Sequence, residues 1–134
     1  MKLILIAILL GDFQVTAYRS VPSQTDSTPY YTSTNELVSS DGVAVSQDLI
    51  CGACKRLHKR CKRPDNPTKL HYQDWLYIDQ VGYKRVNDLM NKRHKNRLDV
   101  WVRTHKDEKD FDRMFKAQRL ITFKIKERYE KETH

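Results

Sequence analysis

An unbroken apolar run near the start, Leu3 to Leu10, limits what this chain can become. It is eight residues long, whereas a helix needs about 20 apolar residues to cross a bilayer. Lys2 precedes it, and Val15-Thr16-Ala17 supplies short residues after it. Charge, apolar run and small-residue exit, in that order, describe a removable export leader. The expectation is a signal peptide over residues 1–17, cleaved near Ala17, with the mature chain starting at Tyr18. The competing reading is a short buried strand or helix.

Removing 17 residues from 134 leaves 117, enough for one small domain and a tail. The formal net charge is +8, and Lys2 and Asp12 cancel within the leader, so the excess stays with the rest of the chain. Such a charge draws a protein to anionic surfaces without choosing among nucleic acid, acidic lipid and acidic protein. Three cysteines, Cys51, Cys54 and Cys61, are too few and too odd in number for a disulfide-stapled miniprotein.

Composition changes along the chain. Residues 18–50 are rich in Ser, Thr and Pro and read as a disordered spacer. Gly42 to Val45 has strand character but no evident partner. Residues 51–68 form a basic, cysteine-containing segment that carries Lys55, Arg56, Lys59, Arg60, Lys62 and Arg63 without an acid among them. Dense like charge of this kind reads as a solvated segment, a nuclear import signal or a phosphate-binding patch. Pro64-Asp65-Asn66-Pro67 then marks a boundary.

Residues 69–131 are the expected folded part. Val86, Leu89 and Met90 fall at i, i+3, i+4, and Leu98, Trp101, Val102 and His105 at similar spacing. Phe111, Met114, Phe115, Ile121, Ile125 and Tyr129 suggest one longer helix, although Leu120 to Ile125 also tolerates a strand. The expected fold is therefore all-α, a small three- to four-helix bundle, with Trp75 and Trp101 as its bulky core residues.

The stretch Trp-Leu-Tyr-Ile-Asp-Gln-Val-Gly-Tyr-Lys-Arg-Val-Asn-Asp-Leu-Met, Trp75 to Met90, resembles the W motif of oomycete RxLR effectors. Trp75, Val81, Val86, Leu89 and Met90 match it in type and spacing, and Trp101 stands where that family's later motif places an aromatic residue. Lys55-Arg56-Leu57-His58 resembles the translocation motif, with His in place of the usual arginine and without the acidic stretch that normally follows. The resemblance implies a WY-like helical module packed on Trp75, Val81, Val86, Leu89, Met90 and Trp101. It implies a secreted, non-enzymatic virulence protein that enters plant cells and suppresses defence or cell death by binding a host protein. Lys59, Arg60, Lys62 and Arg63 would engage an import receptor and carry it to the host nucleus.

An alternative reading centres on Cys51 to Arg63. Cys-x-x-Cys lets two thiolates grip one zinc, Cys61 offers a third, and His58 or His71 is a candidate fourth ligand. The spacing resembles the first half of fungal binuclear zinc clusters and the start of plant LOB domains, both of which need further cysteines. On this reading the chain is a secreted basic zinc- or nucleic-acid-binding protein. A disulfide with one spare thiol and three reduced thiols are the other options. The leading reading expects no cofactor and no catalytic residue: the five histidines are scattered, and no glycine-rich phosphate loop is present.

Overall fold

The computed structural model describes residues 1–20, 30–61, 69–116 and 118–131. Six strands and two helices follow in the order β1 (Lys2–Tyr18), β2 (Gly42–Val45), α1 (Gly52–Leu57), β3 (Trp75–Ile78), β4 (Gly82–Leu89), β5 (Arg97–Trp101), α2 (His105–Phe115) and β6 (Arg119–Glu130). The strands close into a barrel in the order β1-β5-β2-β4-β3-β6. Two of the pairings, β1 with β5 and β2 with β4, are parallel, and the other four are antiparallel. Closure leaves no bare strand edge in the barrel wall.

Strand alternation fills the interior. Phe13 and Val15 from β1, Val43 and Val45 from β2, Leu76 and Ile78 from β3, Leu98 and Val100 from β5, and Leu120 from β6 meet in one buried cluster. Each pair is two residues apart, the spacing that puts side chains on one face of a strand. Full burial of such a side chain contributes about 1.5–3 kcal/mol. Phe115, at the end of α2, joins the cluster and packs against Phe111 with the rings tilted by 60° and their centroids 4.8 Å apart. The Thr104 hydroxyl accepts from the Asp107 amide and starts that helix.

This architecture overturns the all-α helical bundle. Residues 75–101, expected as helices, supply three strands of the barrel, and the expected long terminal helix is α2 followed by β6. Trp75 is 37% exposed on β3, so it does not pin a core; its neighbours Leu76 and Ile78 do. Val86 is fully buried and Met90 nearly so, but from a strand and its end. Val81 and Leu89 pack only partly against the core. Trp101 is buried in a separate cluster with Tyr18, Ala44 and Met90, on the outer face of the wall.

Two further expectations meet the structure here. Residues 1–17 were read as a leader, and β1 spans Lys2–Tyr18. Cleavage after Ala17 would strip Phe13 and Val15 from the core and remove the strand shared by β5 and β6. Lys2 to Leu9 pairs with β6 alone, and the register shifts at Leu9/Gly11, where Gly11 takes a φ of 134°. Leu3, Leu5 and Leu9 on this extension are exposed. Within 18–50, read as spacer, β2 is buried along its whole length between β5 and β4; residues 21–29 lie outside the described residues.

Truncating Leu76 to alanine is expected to cost about 2–5 kcal/mol, as for other buried leucines. Trp75→Ala should cost less than half as much. Chemical denaturation of both variants checks this; a Trp75→Ala loss equal to or larger than that of Leu76→Ala would contradict the exposed placement of Trp75.

Candidate active site

One row of residues crosses four adjacent strands on the outer face of the barrel. Thr16 on β1 pairs with Asp99 on β5, Asp99 pairs with Ala44 on β2, and Ala44 pairs with Asp88 on β4. Residues paired across a sheet point the same way, so the two aspartates share one face with the small Ala44 between them. Two strand spacings separate their backbones by about 10 Å.

Asp88 reaches this row through an irregularity. Val43 pairs with Val86, yet the next residue, Ala44, pairs with Asp88 rather than Asn87. The extra residue is Asn87, which is buried with its side chain against Gly42. A Cβ on Gly42 would meet Asn87 Nδ2 at 2.8 Å, so a larger residue there would force the buried Asn87 side chain to move. A shift of one residue moves side chains to the opposite face. Without it Asn87 would stand opposite Ala44, and Asp88 would face elsewhere.

The two carboxyls have contrasting surroundings. Four donors converge on Asp88. The Ser33 amide, Ser33 hydroxyl and Leu89 amide donate to Oδ1 at 2.9, 2.6 and 2.9 Å, and the Tyr18 hydroxyl donates to Oδ2 at 3.1 Å. Burial and the neighbouring Asp88 charge in turn hold Tyr18 strongly in its neutral, donating state. Among the described residues Asp99 has one side-chain donor, the Thr16 hydroxyl at 2.9 Å. Burial pushes the Asp99 carboxyl from 3.8 up to about 7, with Asp88 and Glu108 adding to the rise and Thr16 and Arg97 opposing it. Near pH 7 about half of the Asp99 carboxyls therefore keep a proton that an ordinary aspartate has lost.

Two grooves flank α2; Thr16 is the one residue of the row that lines either of them, and neither Asp88 nor Asp99 does. Thr16 lines a groove of about 520 Å³ between β1 and α2, with Gln14, Asp112, Arg113 and Lys116. On the other side of α2 lies a second groove of about 420 Å³, where Trp101, Arg103, Phe111 and Met114 contribute. Arg103 stacks over Trp101 at 5.8 Å, and Trp101 Nε1 donates to Ser20 Oγ at 2.9 Å.

The residues singled out in the sequence lie elsewhere. Lys55, Arg56 and Leu57 form the last half of α1 and are exposed, and His58 ends that helix at φ 55°, also exposed. Lys59 is exposed. Arg60 is turned inward at its tip, donating to Asp74 Oδ1 at 2.8 Å and to the Tyr72 carbonyl at 2.9 Å. Asp74 also faces Lys124 at 3.3 Å and His71 Nδ1 at 3.4 Å. Lys62 and Arg63 lie outside the described residues. Cys51, Cys54 and Cys61 do come together, but among the described residues neither His58, His71 nor an acid joins them.

Sequence reasoning missed Asp88, Asp99, Tyr18, Thr16 and Ser33. The available signal was alternation: Leu98-Asp99-Val100 sets one acid between two core residues. No protein-family profile matches the chain, and no curated protein matches it either.

The native state keeps the Asp99 proton that the unfolded chain has already released between pH 3.8 and about 7. Its contribution is therefore full at low pH and is lost as pH rises through that window. Asp99→Asn removes a desolvated charge and is expected to raise stability at pH 8 by roughly 1–2 kcal/mol or more and to change it little at pH 4. Denaturation midpoints at the two pH values check this; equal or reduced stability of the variant at pH 8 would contradict it.

Proposed function

We propose that this barrel is an acid–base enzyme that cleaves glycosidic bonds in an anionic polysaccharide. The observation that carries the reading is the Asp99–Asp88 pair: two carboxyls on one face, one bonded to Thr16 with burial raising its pKa, and one accepting from four donors. Unequal environments of this kind assign a general acid and an ionised partner. Cleavage of an acetal C–O bond needs that combination, an acid for the leaving oxygen and a carboxylate for the positive charge that develops on the sugar.

In the proposed reaction Asp99 gives its proton to the glycosidic oxygen as the anomeric C–O bond breaks, and Asp88 stabilises the cationic sugar ring or takes a proton from the water that adds to the anomeric carbon. Thr16 fixes the Asp99 carboxyl, while Ser33 and Tyr18 fix Asp88. The separation across Ala44 argues against a proton shared by two touching carboxyls, the arrangement of aspartic proteases. The open grooves beside α2 suit a chain rather than an enclosed small molecule, and Arg113, Lys116 and the +8 net charge favour an anionic one.

This reading replaces the expectation of a non-enzymatic binding protein. Export and delivery to a plant cell concern where the chain acts. They rest on Lys2, the apolar run and Lys55 to His58. The WY-like module that linked them to host-protein binding lies in β3, β4 and β5 instead.

Incubating the full chain with acidic polysaccharides and measuring new reducing ends tests the proposal. The rate is expected to fall as pH rises past about 7, because the acid is then unprotonated. Asp99→Asn should lose at least about 10²-fold, the usual reach of a general acid. A folded Asp99→Asn variant that cleaves as fast as the parent would contradict the assignment, as would a parent that cleaves no such polymer.

A further inference from the structure

The strongest cluster outside the aspartate row is the cysteine trio, and the geometry points to a zinc ion held by Cys51, Cys54 and Cys61. The three sulfurs lie within 4.8 Å of one another. Cys54 Sγ is 3.3 Å and Cys51 Sγ 3.5 Å from Cys61 Sγ. A disulfide would bring a pair to about 2.05 Å. Thiolates around one zinc, each about 2.3 Å from the metal at tetrahedral angles, stand about 3.8 Å apart. Both measured edges, 3.3 and 3.5 Å, lie far closer to that spacing than to a disulfide bond, and one ion would satisfy all three sulfurs, whereas a disulfide satisfies two.

Local structure presents the trio. Cys51 is the N-cap of α1, and Cys54 faces inward one turn later. His58, with its left-handed backbone, reverses the chain so that Cys61 comes back over Cys54. The Cys61 amide donates to Cys54 Sγ at 3.2 Å, the kind of second contact that orients a metal-bound thiolate. The Cys51 amide donates to the Leu70 carbonyl and the Leu70 amide to the Leu49 carbonyl, both at 2.7 Å, which ties the cluster to the barrel. Cys54 is fully buried, Cys61 nearly so, and Cys51 partly exposed, which leaves a solvent side for a fourth ligand.

Charge fits as well. Three thiolates on a divalent ion carry a net negative charge, and Lys55, Arg56, Lys59 and Arg60 surround them in sequence. A set of three sulfurs selects a soft ion such as zinc over calcium or magnesium. The ion would be structural: α1 has six residues, too few to hold a helix by itself, and its only buried side chain is Cys54. Lys55, Arg56 and Lys59, all exposed, would thereby form the outer surface of a metal knuckle.

The full chain, purified under reducing conditions without added metal, is the sample. Elemental analysis is expected to give one zinc per chain, and native mass spectrometry a mass greater by one zinc and without a disulfide. Alkylation should modify all three cysteines only after chelation. Replacing zinc by cobalt should produce the intense visible bands of tetrahedral thiolate coordination. Cys54→Ser should abolish metal binding, and His58→Ala should retain it, because His58 lies on the exposed side of the turn. Chelating the unmodified protein covers the case in which Cys54→Ser does not fold. A mass two hydrogens lighter with no metal would overturn the inference in favour of a disulfide. Three thiols that alkylate at once in metal-free, reconstitution-resistant protein would overturn it in favour of plain cysteines.

Discussion

β1 is hydrogen-bonded to β6 on one side, antiparallel, and to β5 on the other, parallel, and this double pairing closes the barrel. The parallel half fixes more than closure. It places Phe13 and Val15 inward beside Leu98 and Val100, and it sets Thr16 against Asp99 and Tyr18 against Trp101 on the outside. A slip of one residue along β1 would reverse both faces together, sending apolar side chains to water and Thr16 into the core. The register is therefore enforced by burial, and the geometry of the aspartate row follows from it.

The bulge at Asn87 is the second device. A regular β4 would present alternate residues to the row, and Asp88 would not stand opposite Ala44. An extra residue in β4, accommodated by the missing side chain of Gly42, re-aims Asp88. The cost is a buried Asn87 side chain in an apolar wall. Ser33 completes the arrangement from outside the barrel, since its amide and hydroxyl both reach Asp88 from a loop that otherwise turns on Thr32, Thr34 and Glu36. One acid is thus solvated by protein donors while the other is left with Thr16.

The same bulge explains why the sequence misleads. Val86, Leu89 and Met90 show helical spacing because the inserted Asn87 breaks strict alternation in a strand, and an i, i+3, i+4 set results. Ile121, Ile125 and Tyr129 recur every four residues, which suits one face of a helix and equally one face of a strand. Short strands of four or five residues, such as β2, β3 and β5, carry too few positions for period two to stand out against the helical reading. Alternation was legible at Phe13/Val15, Val43/Val45 and Leu98/Val100, but the first pair fell within the apparent leader and the second within a polar stretch. The cysteine spacing was legible as a metal-type cluster because its geometry is local. The aspartates were not, since Asp88 and Asp99 acquire meaning only when β2 lies between them.

The account depends on Asp99 keeping its proton near neutrality because of burial and the charge of Asp88. The most direct test follows the Asp99 side-chain carboxyl carbon by nuclear magnetic resonance across a pH titration, in the parent and in Asp88→Asn. The account predicts a midpoint near 7 in the parent and a lower midpoint once Asp88 is neutral. A parent midpoint near 4, the ordinary aspartate value, would contradict it.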